Sequence, residues 1–347
     1  MINLDKMYYR FPLKKAQLLL GFLILFQISC QKAGTQSITG RTMGTTYEII
    51  FGEQLSEETL GHLENSIDSI LININQEMSV YISESNISLF NKKRNILPSE
   101  IPNSFKKVIE RSLFWFKETG GAFDITVMPL VNLWGFGTKE KIETLPDIEK
   151  IHVLMASIGS DYISLNGNLL IKNNVDVQID LGAVAKGFAV DVIAEFLERK
   201  GVRHYFVEIG GEINCEGKNR EGKIWTIGIQ TPKRNSLDYS VIKKIKLKNR
   251  SIATSGDYKN FVEINGKFYS HAINPKTGYP VESQVASVSV IAPNCMDADA
   301  LATGLMIMPL SEGKILVKKF NEMDAMWILR NENGLYNIEK TSGFNFD

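Results

Sequence analysis

Asp180-Leu-Gly-Ala-Val-Ala-Lys-Gly187 lies where two sequence periods meet. Before it, residues 175–181 alternate apolar and polar, the period of a half-buried strand. After it, residues 185–200 carry helical spacing and stop at Gly201, a residue suited to a helix C-terminus. The octet therefore reads as a strand-to-helix turn. Such a turn presents free backbone N–H groups and the positive end of a helix dipole, which suits a phosphate. The same glycines also serve where two backbones merely pack closely. Neither the Walker order G-x-x-x-x-G-K-[ST] nor the Rossmann order G-x-G-x-x-G is present in it.

The neighbouring periods extend this pattern in both directions. Residues 45–51 read as a strand. A helix follows with Leu60, Leu63, Ile67, Ile70, Leu71 and Ile74 on one face. A second helix carries Phe105, Val108, Ile109, Leu113 and Phe116, opening at Asn103 or Ser104 and ending at Gly120-Gly121. Strands are expected at 204–209, 224–230, 241–248, 284–292 and 325–330, and a helix at 297–308. Strands and helices mix without a strict βαβ alternation, which predicts an α+β fold rather than a doubly wound one.

The chain has 347 residues, 44% hydrophobic and 22% charged, enough for one large domain or two modest ones. Its formal net charge is zero, so nothing points to nucleic acid. Arg10, Lys14 and Lys15 precede an apolar run over 16–28 that ends in Ile28-Ser29-Cys30. This is the order of a secretory signal, and the run is shorter than the ~20 residues that span a bilayer. A cysteine after the small residue is the lipoprotein form, with Cys30 lipidated, although Gln27 stands where an aliphatic residue is usual. An uncleaved anchor and plain secretion are the alternatives. The expected organisation is a signal peptide at 1–29, a membrane tether at 30–40 and one catalytic domain at 41–340. Loss of 1–29 leaves 35 basic against 38 acidic residues, a net charge of −3. Cys215 and Cys295 are expected to be free buried thiols.

Candidate chemistry comes from a few side chains. Asp299 and Thr303 lie four apart on an expected helix and so share a face. Their oxygens suit a hard cation such as Mg²⁺; equally, they suit a helix cap and a core hydroxyl. Ser255-Gly-Asp257 reads as an exposed turn in which Asp257 is a base or a turn former. His271 stands in Ser270-His-Ala-Ile-Asn-Pro-Lys-Thr-Gly-Tyr-Pro280, a stretch that Pro275, Gly278 and Pro280 should make rigid. It is a catalytic base or a structural histidine. Neither zinc spacing of His and Cys nor a G-x-S-x-G elbow occurs.

Eight motifs in one order carry a resemblance. They are Met43-Gly-Thr-Thr, Met78-Ser-Val-Tyr81 with its continuation to Asn91, Gly121-Ala-Phe-Asp-Ile-Thr126, and the octet at 180–187. After these come Gly210-Gly-Glu-Ile213, Thr254-Ser-Gly-Asp-Tyr258, the stretch at 270–280 and Ala298-Asp-Ala-Leu-Ala-Thr303. The chain resembles the ApbE family of FAD:protein FMN transferases over about residues 40–330. The resemblance implies a T-fold-like α+β architecture and a reaction that cleaves FAD and attaches FMN to a threonine of a target protein. It further implies an FAD site lined by Met43, Tyr81, Ala122, Phe123, Asp124, Asp180, Lys186 and Ile273. Mg²⁺ would be held by the Ala183 carbonyl, Asp299 and Thr303, and His271 would be the base with Asp257 close by. Implied partners are exported flavoprotein domains such as electron-transfer subunits, met at the periplasmic face of a bacterial membrane. An FAD pyrophosphatase and a non-catalytic FAD-binding lipoprotein are the rival readings. Three positions depart from the family pattern: Ala183 where glycine is common, Glu212 where aspartate is common, and Asn274 in place of an aspartate.

Overall fold

A computed structural model describes residues 34–138, 141–234, 240–258, 260–331 and 333–346. The expected signal peptide, Cys30 and residues 30–33 of the expected tether lie outside these. Among the described residues no helix is long and apolar enough to cross a membrane.

In chain order the first strands are β1 (Gln36–Thr42), β2 (Thr45–Phe51), β3 (Ser99–Glu100), β4 (Ile163–Asn166) and β5 (Leu169–Lys172). They are followed by β6 (Tyr205–Ile209), β7 (Glu212–Glu216), β8 (Trp225–Gln230), β9 (Val241–Leu247) and β10 (Arg250–Gly256). The last five are β11 (Phe261–Ile264), β12 (Lys267–Ser270), β13 (Val285–Ala292), β14 (Asp324–Arg330) and β15 (Tyr336–Lys340). The helices are α1 (Glu57–Met78), α2 (Asn86–Lys92), α3 (Asn103–Glu118) and α4 (Met128–Leu133). The remainder are α5 (Ile148–Met155), α6 (Ala185–Arg199), α7 (Cys295–Ile307) and α8 (Leu310–Val317).

Eight strands form one sheet in the order β1-β2-β6-β7-β10-β13-β14-β15, every neighbour antiparallel. The α+β expectation holds. Strand alternation sends Val207, Ile209, Ala253, Val288, Val290 and Trp327 into a core shared with the helices. Ile213, Cys215, Ile252, Met326 and Ile328 enter a second core, which the β8–β9 hairpin covers with Trp225, Ile227 and Ile245. The central strands are thus buried on both faces, which is why β14 reads as a continuous apolar run.

Two expectations need correction. Residues 36–40, expected in the tether, belong to β1, an edge strand whose Ile38 is buried. Its polar outward positions are the usual protection of a sheet edge and look like a tether in sequence. Residues 175 and 176 lie in a turn, and 177–181 join no sheet. Val177, Ile179 and Leu181 are all buried, hence the strand-like alternation. Their backbone is held by other means: the Asn91 side chain both donates to the Ile179 carbonyl at 2.8 Å and accepts from its amide at 2.7 Å. Cys215 and Cys295 are free and buried, as expected.

α7 is the central helix. It lies on β10 and β13 on one side and against α6 and α3 on others, so it is apolar all round. Small residues permit that crowding. A Cβ at Gly187 would sit 2.4 Å from the Cys295 carbonyl oxygen, so α6 crosses the start of α7 backbone to backbone. Asp191, one turn along α6, accepts from the Cys295 and Met296 amides at 2.7 and 2.8 Å and ties the two helices. In an open helix, alanine for glycine gains about 0.5–1 kcal/mol. Here the clash is with main chain and cannot be relieved by a rotamer change. Gly187→Ala is expected to destabilise by about 1–3 kcal/mol, seen as a lower Tm.

Candidate functional site

The head of α6 collects most of the expected chemistry. The Asn91 clamp and a bond from the Asp180 amide to the Ile125 carbonyl, at 2.8 Å, fix the chain just before the helix. The Gly182 amide then donates to Asp180 Oδ1 at 2.8 Å. Lys186 folds back over the same turn, its Nζ donating to the Gly182 carbonyl at 3.1 Å. It stands 3.4 Å from Glu212 Oε1 and 3.9 Å from Asp299 Oδ2. Gly210 and Gly211, both at positive φ, make the β6–β7 turn that delivers Glu212 there.

Burial works against the Lys186 ammonium, but Asp299 and Glu212 outweigh it and hold its pKa above the ordinary lysine value. The carboxylates show the converse. Burial raises the pKa of Asp180, partly offset by the Gly182 amide and Lys186. Burial raises Asp299 too, against the pull of Lys186 and the Gly187 amide. More negative charge is enclosed here than a single ammonium neutralises, a setting that favours a further cation.

The oxygen donors at this helix crossing can be compared with what a hard cation needs. The Gly187 amide donates to Asp299 Oδ2 at 3.0 Å. Gly187 is the third residue of α6, where an amide has no intrahelical acceptor, so Asp299 satisfies it; Ala183 precedes the helix and its carbonyl lies outside the helical ladder. Thr303, on the same face of α7 as Asp299, has its hydroxyl 3.0 Å from Ser255 Oγ. Among the described residues no three His, Cys, Asp or Glu side chains converge on a metal-sized site. A cation would therefore draw on a carbonyl, one carboxylate and a hydroxyl, which fits Mg²⁺ and not zinc.

His271 follows β12 and enters the proline-bounded loop. That loop is internally hydrogen-bonded: the Thr277 and Gly278 amides both donate to the Asn274 carbonyl, and Ile273 bridges to Pro280. Trp134 pins it, donating through Nε1 to the Gly278 carbonyl at 2.9 Å and stacking on Tyr269. His271 Nδ1 lies 3.1 Å from the Asn260 carbonyl. A carbonyl only accepts, so Nδ1 carries the proton and Nε2 keeps its lone pair. Burial lowers the His271 pKa, the Asn260 bond opposes this, and the charges of Lys186 and Asp257 act in opposite senses. Its environment thus joins the α6 head to Asp257.

The other expected residues divide into two groups. Met43, at φ 50°, occupies the tight β1–β2 turn and packs on the core. Tyr81 is largely exposed, and partial desolvation, followed by the Asp180 charge, raises its pKa. Ala122, Phe123 and Ile273 are buried, with Phe123 close to Gly304 of α7. Asp124 is buried and its oxygens are occupied by Thr126 and Ser160, from whose hydroxyls Oδ1 accepts at 2.7 and 2.6 Å. Its carboxylate ties two loops together. Asp257 is not on an exposed turn. It is buried behind β10 and paired with Arg330, at 3.0 and 3.1 Å, and with Arg234. A carboxylate held by two guanidinium groups is an anchor for them rather than a free base.

Sequence reading alone missed Arg330, Arg234, the Ser255–Thr303 pair and the contact of Glu212 with Lys186. The Gly210-Gly211 turn was the one local signal for Glu212.

The ApbE family model matches residues 43–327. The FAD:protein FMN transferase of Vibrio cholerae is 38% identical over 321 residues, covering 92% of this chain and 95% of that protein. The protein of the same name from Haemophilus influenzae is 41% identical, covering 88% of this chain and 90% of its own length. Among solved structures, the flavin transferase ApbE from Vibrio cholerae superposes with a TM-score of 0.80 at 36% identity, over 90% of this chain and 98% of that one.

Proposed function

We infer the activity from one premise: the chain belongs to the ApbE family. It is a flavin transferase that splits the pyrophosphate of FAD and joins FMN, through a phosphoester, to a threonine hydroxyl of an acceptor protein. The observation that carries this reading is Lys186, held between Asp299 and Glu212 at the start of α6, within the electrostatic reach of His271.

The α6 N-terminus and Lys186 bind the pyrophosphate and neutralise its oxygens. Tyr81, Met43 and Phe123 orient the flavin half. His271 Nε2 takes the proton of the threonine hydroxyl as its oxygen bonds to the FMN phosphorus, and the bond from that phosphorus to the AMP oxygen breaks. AMP leaves with the electron pair. The Ala183 carbonyl, Asp299 and Thr303 would hold Mg²⁺, which when bound supplies charge neutralisation at the phosphates. Exported flavoprotein domains are the acceptors, and Cys30 is the lipid anchor to a bacterial membrane. The basic residues and apolar run over 1–30 support that placement.

Quantifying AMP against protein-bound flavin tests the reading. Equal amounts are expected; AMP with free FMN would make the chain a pyrophosphatase, and intact bound FAD would make it a carrier.

A pH profile follows from His271. Its folded pKa is lowered, chiefly by burial, from an ordinary value near 6.5. The neutral base therefore persists below that value. kcat/KM should hold from neutral pH downward and fall only at an acid-side midpoint under about 6.5. An inflection well above 6.5 would assign the base to another group.

A further inference from the structure

Beside His271 the molecule keeps an unpaired strand edge. Among the described residues β12 pairs with β11 alone, and the register is fixed by the two-residue turn Asn265-Gly266, both at positive φ. The His271 amide donates to the Asn260 carbonyl at 3.2 Å, so His271 and Asn260 form a hydrogen-bonded pair. Antiparallel pairs alternate. Tyr269 and Lys267 therefore bond across to β11, while the amides and carbonyls of Phe268 and Ser270 point the other way.

Those outward groups border an open cleft of about 460 Å³. It forms because residues 281–284 diverge from β12. The Val281 amide still donates to the Ala272 carbonyl, but the Gln284 carbonyl already accepts from Arg330 of the large sheet. Lys267 and Glu282 reach across the mouth in an exposed ion pair of 2.6 Å. Arg234, Arg330 and Lys267 outnumber Asp257 and Glu282 along the walls. Arg234 Nε is buried without an acceptor among the described residues.

We propose that this cleft is the acceptor site: an extended segment bearing the acceptor threonine pairs with the free edge of β12, between it and residues 281–284. The Phe268 and Ser270 backbone supplies the ladder bonds, as in other strand additions. Because β12 runs directly into His271, a paired segment is carried past the base at ladder spacing. Arg234 Nε bonds an oxygen of the segment, and the excess of cations suits a neutral or acidic stretch. The Lys267–Glu282 pair opens on entry. The proposal rests on the transferase reading above.

The test compares Phe268→Pro with Phe268→Ala in the full mature chain. Both remove the ring; only proline removes the outward N–H, at an edge position where the β11 ladder does not use it. The probe is an exported flavoprotein domain that the unsubstituted chain labels with FMN; without labelling by the unsubstituted chain, the transferase reading itself fails. The expected result is an acceptor KM at least about tenfold higher for proline than for alanine, with an unchanged KM for FAD. In the unsubstituted chain, hydrogen exchange at the Phe268 and Ser270 amides should slow with saturating acceptor and not with FAD alone. This second measurement stands even where the proline variant fails to fold. Equal KM values, unaltered exchange, or protection that grows with protein concentration and needs no acceptor would overturn the proposal, the last because a second copy then occupies the edge.

Discussion

His271→Ala is expected to slow FMN transfer by about 10²–10⁴-fold while leaving FAD binding close to that of the unsubstituted chain. The separation of the two effects follows from position. On the proposed reading the pyrophosphate would meet the α6 head, whereas the histidine stands on a different loop and would act on the incoming hydroxyl. Its ring is held by the Asn260 carbonyl and its loop by Trp134, so the alanine variant loses the base and little packing. Single-turnover rates with FAD bound, alongside equilibrium FAD binding, would separate the terms. Loss of FAD affinity equal to the loss of rate would make His271 a binding residue.

Asp299→Asn is expected to be at least as severe, on the order of 10²-fold or more, and to weaken cation and FAD binding together. Asparagine keeps an oxygen to accept from the Gly187 amide, so the crossing of α6 and α7 survives. What disappears is one negative charge in a buried cluster that holds Lys186 and would hold Mg²⁺. Since the transferred phosphoryl group needs charge neutralisation more than covalent help, that loss falls on the chemical step. Calorimetric titration with Mg²⁺, with Tm as a check on folding, reads the effect directly. An unchanged Mg²⁺ affinity would remove Asp299 from the cation site.

The sequence carried local information well and long-range pairing poorly. Helix α3 was legible because its apolar residues recur at helical spacing, yet Trp115, the residue it buries most deeply at its C-terminal end, falls off the simplest stripe. Its indole reaches Asp297, 182 residues away. Residues 175–181 looked like a strand because burial alternates there, but their partners are an asparagine side chain and a loop carbonyl. Ser255-Gly-Asp257 looked like a turn because the two arginines that bury its carboxylate are absent from its neighbourhood in the chain. The turn at the head of α6, by contrast, was largely readable. Its glycines, its lysine and its helix all lie within one short stretch, and only Glu212 and Asp299 had to be brought in by the fold.

The most direct test of the account is the intact mass of an exported, threonine-bearing flavoprotein domain after incubation with residues 31–347, FAD and Mg²⁺. The expected result is a gain of one FMN, located on a threonine by peptide mapping and lost without Mg²⁺ or with His271→Ala. An acceptor of unchanged mass, with FAD consumed to free FMN and AMP or left intact, would contradict it.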